Sequence, residues 1–404
     1  MRANATFQAA RDRAVPGLEA RDRRLANALA AGVLRRQADL DRRLELRSAD
    51  PRLHDILRLG VYQLAALERV PAYAAVSTSV ELARETAGEG GARYVNRVLR
   101  QLAGVARRAP VAGETHPRWL AERWRRHFGP EAASRLIAWN DAVPPLTLQP
   151  ARWSRATLVA RLKHAGLGVE EAPWGAGVRV SGPGSRLPAR LPGFRDGGFV
   201  VQDPAHALAC RYAAIPPGTL VYDACAAPGG KAVMLERGGA RVVAGDARRE
   251  RIGRLADTAR RAGVAIRIAV ADLLAAPFAP RAFAAVVLDA PCAATGTMAR
   301  HPDARWRVTP RTIARAAQRQ RALLEAAAAL VRPAGLLVYA TCSLEPEENG
   351  DMVTEFLERH PEFARAPAVG GVPAALLTAD GDFQSLPQRD GMDGAYAARL
   401  VRAR

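Results

Sequence analysis

Apolar positions three and four residues apart recur from about Arg11 to Leu102, clearly so in Asp55 to Leu64 and in Ser77 to Thr86, with Ala, Leu and Arg filling the period. That spacing predicts amphipathic helices and an all-α first domain. Pro110, Gly113 and Pro117 interrupt the pattern, Trp119 to Asn140 resume it, and Pro144-Pro145 end it. From about 145 to 200, short alternating runs such as Gly177 to Val180 stand beside a helical stretch, Ala156 to Ala165, among many Pro and Gly. A small α+β module is expected there. After Gly218 the rhythm becomes strand, small-residue turn and helix, repeated. Strands are predicted near 220–223, 241–244, 266–269, 284–289 and 336–340, with helices near 249–261 and 312–331. Such alternation is that of a doubly wound parallel sheet, whose ligands sit beyond the carboxyl ends of the strands. A chain of 404 residues is too long for one ordinary core, and three domains are expected: 1–112, 113–200 and 201–404.

Composition narrows the class. With 49% hydrophobic and 25% charged residues the chain can bury real cores. The first residues carry Arg throughout and no run of about 18 uncharged apolar residues occurs, so a soluble, cytoplasmic protein without a membrane partner is expected. The four cysteines, 210, 225, 292 and 342, form no Cys-x-x-Cys pair, and no His or Cys is spaced to join His301 on a metal. Neither a disulfide framework nor a metal site is expected. A formal charge of +19 points to a polyanion, nucleic acid first, because each neutralised phosphate releases counterions. Since only Lys163 and Lys231 are lysines, an Arg bias of composition is the alternative. The Arg-rich stretches 11–24, 35–47 and 121–126 read first as exposed helix faces, second as phosphate contacts.

The turns after the predicted strands carry the chemistry. The first strand runs into Asp223-Ala224-Cys225-Ala226-Ala227-Pro228-Gly229-Gly230-Lys231, where small residues let backbone approach a ligand ahead of a helix. Asp246 ends the second strand, the position of a ribose-binding acid in this architecture, and Asp272 follows the third, placed for an adenine amino group. The G-x-G-x-x-G spacing of a pyrophosphate site is missing. An acidic strand end with a Pro-Gly-Gly turn suits S-adenosylmethionine, a sulfonium cation without phosphate. The fourth strand ends in Asp289-Ala290-Pro291-Cys292 and the fifth in Thr341-Cys342-Ser343, so two cysteines top neighbouring strands beside an aspartate. Cytosine carbon 5 is a poor nucleophile until a thiolate adds to carbon 6. A base must later remove the carbon-5 proton, and a carboxyl or cation must support charge on the ring. Cys342, Cys292, Asp289 and Lys231 can fill these roles, and the chemistry requires only that one of the two cysteines attack.

These strings closely resemble the RNA (cytosine-5-)-methyltransferase family. The resemblance implies that Cys225, Ala226, Ala227, Pro228, Gly229, Gly230 and Lys231, with Asp246, Asp272 and Asp289, line the cofactor and base pocket; that Cys342 is the nucleophile; and that Cys292 releases the product. Residues 51–102, with PAYAAVSTSVELA and YVNRVLRQL, look like the NusB-type RNA-binding helical domain. HPRWL, NDAVPP and LPGFRDGGFVVQDPA look like the connecting module of the RsmB/Sun-type enzymes. The implied fold is an all-α NusB-like domain, a small α+β module and a C-terminal α/β Rossmann-like methyltransferase domain. The implied substrate is one cytidine of bacterial small-subunit ribosomal RNA. The chain departs from the family pattern at Ala293 (usually Ser), Gln149 (commonly Arg), and Ala395 and Ala397 in an often aromatic segment.

Rival readings are a DNA cytosine-5 methyltransferase, which would attack with Cys292 and leave Cys342 unexplained, an RNA-binding assembly factor with an inert methyltransferase fold, and a protein methyltransferase. Arg300 to Asp303, with Arg305 and Trp306, are expected to grip RNA backbone and stack a base, a solvated loop being the alternative. Glu347 and Glu348 are expected to open a helix after Pro346, where carboxylates suit the positive end of the dipole, and to have no catalytic part.

Overall fold

The computed structural model describes residues 6–15, 17–44, 50–68, 70–104, 115–185, 187–366 and 370–404. Pro110, Gly113 and the expected boundary at 112 lie outside these residues. The chain divides into two compact units: Met1–Val143 with Met298–Arg307, and Pro144–Thr297 with Val308–Arg404.

The first unit is helical: α1 Phe7–Ala14, α2 Ala20–Leu44, α3 Pro51–Ala66, α4 Ala72–Ala103, α5 Arg118–Phe128 and α6 Pro130–Asp141. Asp50 accepts from the Arg52 N–H and Pro51 takes the first turn of α3, where a missing N–H costs nothing. The expected period is realised: Leu53, Ile56, Leu57, Val61 and Leu64 of α3 pack with Leu40, Val76, Ala83, Val95 and Leu99. Gly129, at φ +83°, and Pro130 split the helical run 119–140 into α5 and α6. The segment 298–307 belongs to this unit; His301 is exposed and Arg300 half-buried, but Asp303 and Arg305, expected to share in an exposed RNA grip, are buried. Arg305 is fully buried, with ion pair and carbonyl contacts to Asp141 (2.8 Å), the Asn140 oxygen (2.8 Å) and the Arg35 oxygen (3.0 Å). Asp303 is buried and accepts from the Phe7 N–H, and the Trp306 indole N–H donates to the Leu34 oxygen at 2.7 Å. A charged side chain reads the same in sequence whether it meets water or a buried carboxylate.

The second unit opens with a four-stranded antiparallel sheet, order β2-β3-β1-β4, from β1 Leu146–Pro150, β2 Gly168–Glu171, β3 Val178–Ser181 and β4 Phe199–Val201. Helix α7, Arg155–His164, covers it through Leu158 and Leu162 against Leu148, Val178, Val180 and Phe199. Then follow α8 Pro204–Ala213, β5 Leu220–Ala224, α9 Gly230–Arg237, β6 Arg241–Asp246, α10 Arg249–Ala262, β7 Arg267–Val270, β8 Phe283–Asp289, α11 Pro310–Leu330, β9 Val331–Thr341 and α12 Gly350–Arg359. The strands β10 Phe363–Arg365, β11 Phe383–Ser385 and β12 Ala395–Arg402 complete it.

The large sheet runs β10-β12-β9-β8-β5-β6-β7, with β11 on β12. From β9 to β7 all neighbours are parallel, as expected. Beyond β9 the sheet turns antiparallel through β12, so it is mixed rather than all parallel. Ala395–Leu400 are buried without alternation, which is why no strand period marked them. Helices cover both faces of β5: Val221 packs toward Leu235 and Leu255, Tyr222 toward Leu324 and Val353. The chain order reverses where β8 lies beside β5, and a crevice opens at such a point.

Candidate active site

After β5 the backbone turns sharply. Cys225 sits at φ +62° and Gly229 at φ +103°, and a Cβ on Gly229 would stand 2.7 Å from Leu255 Cδ1, so only glycine fits. Helix α9 starts at Gly230, and the first-turn N–H groups of a helix are open to a ligand. Arg251 of α10 ties this turn to the next strand, donating to the Ala227 oxygen (2.5 Å) and pairing with Asp246 (3.0 Å). Asp246 also accepts from the Arg248 N–H at 3.0 Å. Asp272, exposed and two residues past β7, caps a short turn through the Leu274 N–H at 3.1 Å.

Between β5 and β8 lies a charged centre. The Lys231 ammonium stands 2.6 Å from Asp289 and 3.4 Å from Nδ1 of His206 on α8. Burial, the largest single influence, pulls the ammonium down, but the Asp289 carboxylate with Cys210 and Asp223 together outweigh it and the net shift is upward, so Lys231 is held charged. Asp223 is fully buried, and neither carboxylate oxygen has a hydrogen-bond partner among the described residues. Burial, with Asp289 adding to it, pushes Asp223 up to about 8. Burial likewise pushes the Cys210 and Cys225 thiols up to about 12, which leaves them poor nucleophiles at neutral pH.

Cys292 and Cys342 meet as their strands predict: β8 and β9 are adjacent and parallel, Asp289 pairs in register with Ala340, and the two sulfurs lie 3.1 Å apart. Both are partly exposed. The hydrogen bond to Cys342, then burial, raises Cys292 well above the ordinary thiol range. Beneath the pair sits Glu348, fully buried. It accepts from the Ala293 N–H (2.9 Å), the Gln320 amide (3.0 Å) and the Ser343 hydroxyl. Glu348 therefore does not open a helix: Pro346–Glu348 form a 3-10 turn, α12 begins at Gly350, and the carboxylate turns inward onto three donors that offset part of its desolvation, burial still raising it above the usual carboxylate range.

Of the expected site residues, 223 to 231, 246, 272, 289, 292 and 342 all lie at or just beyond the carboxyl ends of β5 to β9. Sequence reasoning missed Glu348 and His206. The acidic pair after Pro346 was a visible signal for the first; nothing marked the second. Two departures find places: Gln149 is buried, donating to the Ala176 oxygen (2.9 Å) and the Gln202 oxygen (3.3 Å), and Ala293 acts through its backbone N–H.

Comparison with known proteins decides the family. Residues 214–401 match the family described as 16S rRNA methyltransferase RsmB/F, residues 2–104 the NusB family, and 116–185 the ferredoxin-like domain of the RsmF/B-like methyltransferases. Ribosomal RNA small subunit methyltransferase B of Xylella fastidiosa is 37% identical over 96% of this chain and 94% of its own length. The probable enzyme of that name from Synechocystis is 34% identical over 95% and 92%. The chain belongs to the ribosomal RNA small subunit methyltransferase B family. A methyltransferase homologue from Pyrococcus horikoshii shares the fold with a TM-score of 0.58 and 25% identity, over 71% of this chain and 95% of its own. NSun6 from the same organism, solved with SFG, shares it with a TM-score of 0.62 and 18% identity over 71% and 98%.

As an RsmB-type enzyme the protein is a small-subunit ribosomal RNA methyltransferase, and its cofactor is S-adenosylmethionine. The residues present fit that group: its ammonium, ribose hydroxyls and adenine amine are donors, and Asp223, Asp246 and Asp272 offer acceptors at three adjacent strand ends, one of them with both buried oxygens unpartnered. Among the described residues no helix is long and apolar enough to cross a membrane, and no cluster of His, Cys, Asp and Glu could hold a metal ion.

Proposed function

We propose that this protein methylates carbon 5 of a cytidine in bacterial 16S ribosomal RNA through a covalent bond between Cys342 and carbon 6, in the cytoplasm where subunits assemble. The carrying observation is the sulfur pair of Cys292 and Cys342, 3.1 Å apart just beyond the ends of adjacent strands, one strand ending in the Asp289 that pairs with Lys231. S-adenosylmethionine, when bound, supplies an electrophilic methyl group, held by Cys225 to Lys231, Asp246 and Asp272. The Cys342 thiolate adds to carbon 6, and the displaced electron pair moves toward carbon 5 and the ring nitrogen. Lys231, held charged by Asp289, stabilises the negative charge that develops on the ring. After carbon 5 has taken the methyl group, Asp289 accepts its proton and passes it to water. The C6–S bonding pair then returns to Cys342, and Cys292, in contact with that sulfur, assists its departure. Because the target base must leave its stack, unpaired RNA is the substrate form.

The test is a pair of variants with opposite defects. Cys342→Ala should form neither adduct nor 5-methylcytidine, whereas Cys292→Ala should accumulate a denaturant-resistant protein–RNA adduct. The reverse pattern would exchange the two roles, and Cys292 as sole nucleophile would favour the DNA-type reading. Bisulfite mapping of ribosomal RNA from cells with and without the gene identifies the cytidine.

A further inference from the structure

Two thiols in contact at equivalent ends of adjacent strands are chemically alike, so something must decide which ionises and attacks. The groups that face Cys292 are Tyr339 of β9, Cys342 just beyond it, Glu348 of the following turn, and Gln320 of α11, which binds both the Pro291 oxygen and Glu348. Glu345 adds a second, more distant carboxylate beside Glu348. Among these, Glu348 touches both cysteine loops: through the N–H of Ala293, next to Cys292, and through the hydroxyl of Ser343, next to Cys342. Its own backbone is fixed by the Tyr339 hydroxyl, which donates to the Glu348 oxygen at 2.7 Å.

We infer that Glu348 is the positioning residue that assigns the two thiols their roles, keeping Cys292 as the S–H donor to Cys342 and leaving Cys342 as the sulfur that attacks. The inference rests on the two-cysteine mechanism proposed above. A thiolate at Cys292 would stand beside a buried carboxylate, where the low dielectric makes like charges costly; Glu348 does contribute to raising that thiol. The retained proton then has a use. As the C6–S bonding pair returns to Cys342, the Cys292 proton passes to that sulfur, and Cys292 regains one from solvent.

Glu348→Gln removes the charge and keeps the shape. Its amide oxygen can accept from Ala293 and Gln320, and its NH2 can face Ser343, whose hydroxyl then turns toward Thr295 Oγ1, 3.3 Å away. The probe is iodoacetamide, with labelling of each cysteine followed by peptide mass spectrometry across pH. In the wild type Cys342 should label well before Cys292. Glu348→Gln should raise the Cys292:Cys342 labelling ratio roughly tenfold or more, the scale of one unit charge across a few ångströms of protein, and move Cys292 labelling to lower pH. Gln320→Leu, which strips one donor and leaves the residue otherwise in place, should shift the ratio the same way by less. In single turnovers on a ribosomal RNA fragment, Glu348→Gln should slow adduct release more than adduct formation. An unchanged ratio and pH dependence in a folded Glu348→Gln would overturn the inference even if the wild type makes 5-methylcytidine. A shifted ratio in an enzyme that makes no 5-methylcytidine would instead overturn the cytosine reading and leave the thiol assignment standing.

Discussion

Replacing Arg305 with Met separates a structural arginine from an RNA contact. The side chain is fully buried, and its guanidinium serves the Asp141 carboxylate and the carbonyls of Asn140 and Arg35. Removing one member of a buried ion pair costs about 3–5 kcal/mol, because the partner is left desolvated and unpaired. Asp141 is 30% exposed and keeps the Thr115 hydroxyl at 2.6 Å, so the low end, about 3 kcal/mol, applies. For a unit of this size that corresponds to a loss of roughly 6–12 °C in Tm. Four of the six tryptophans, 119, 124, 139 and 306, lie in the same unit, so urea unfolding followed by intrinsic fluorescence reports on it. Arg93→Met, on the exposed face of α4, is the control and should stay within about 0.5 kcal/mol. The reasoning fails if Arg305→Met unfolds at the parent's urea concentration while RNA affinity drops and the salt slope shrinks by about one, the mark of a lost phosphate contact.

Two further outcomes are expected. The folded-state value of Asp223 lies near 8, against 3.8 for the unfolded chain. Over that window the folded state holds a proton the unfolded state has lost, so the contribution of Asp223 to stability falls as pH rises, and that loss is complete above about 8. Asp223→Asn should flatten the wild-type decline in Tm between pH 5 and pH 8, measured without cofactor; an identical decline in both proteins would mean that Asp223 is ionised throughout. Because of the +19 charge, affinity for a ribosomal RNA fragment should fall at least about a hundredfold between 50 and 200 mM salt, and a flat binding curve would mark the arginine excess as compositional.

The parts legible in the sequence were those set by local periodicity and by turns that few residues can make. All five parallel strands and the helices near 249–261 and 312–331 stand where their periods place them, and the Asp223 to Lys231 turn shows in the string the glycines of a tight strand-to-helix turn, Gly229 taking φ +103°. What stayed hidden was set by partners distant in the chain. Arg305 and Asp141 are 164 residues apart, Gln149 serves a carbonyl 53 residues away, and β12, buried on every residue from Ala395 to Leu400, shows no alternation to read. A charged residue announces its type, but its burial is decided by what packs against it.

Glu348 shows how the two kinds of information combine. Thr341 to Asn349 close on themselves: the Thr341 hydroxyl donates to Asn349 Oδ1 at 2.6 Å, and the Asn349 amide donates to the Ser343 oxygen at 2.9 Å. That much is local, and it ties the segment after Cys342 to the end of β9. The link to Cys292 is not local, since the Ala293 N–H reaches Glu348 across 55 residues. A spacing of residues can therefore place Cys342 on a strand end and a carboxylate six residues beyond it, but only the packing of β8 against β9 brings that carboxylate under the other cysteine. The asymmetry between two identical thiols thus comes from tertiary structure, and it is there, rather than in either cysteine motif alone, that the order of attack and release must be sought.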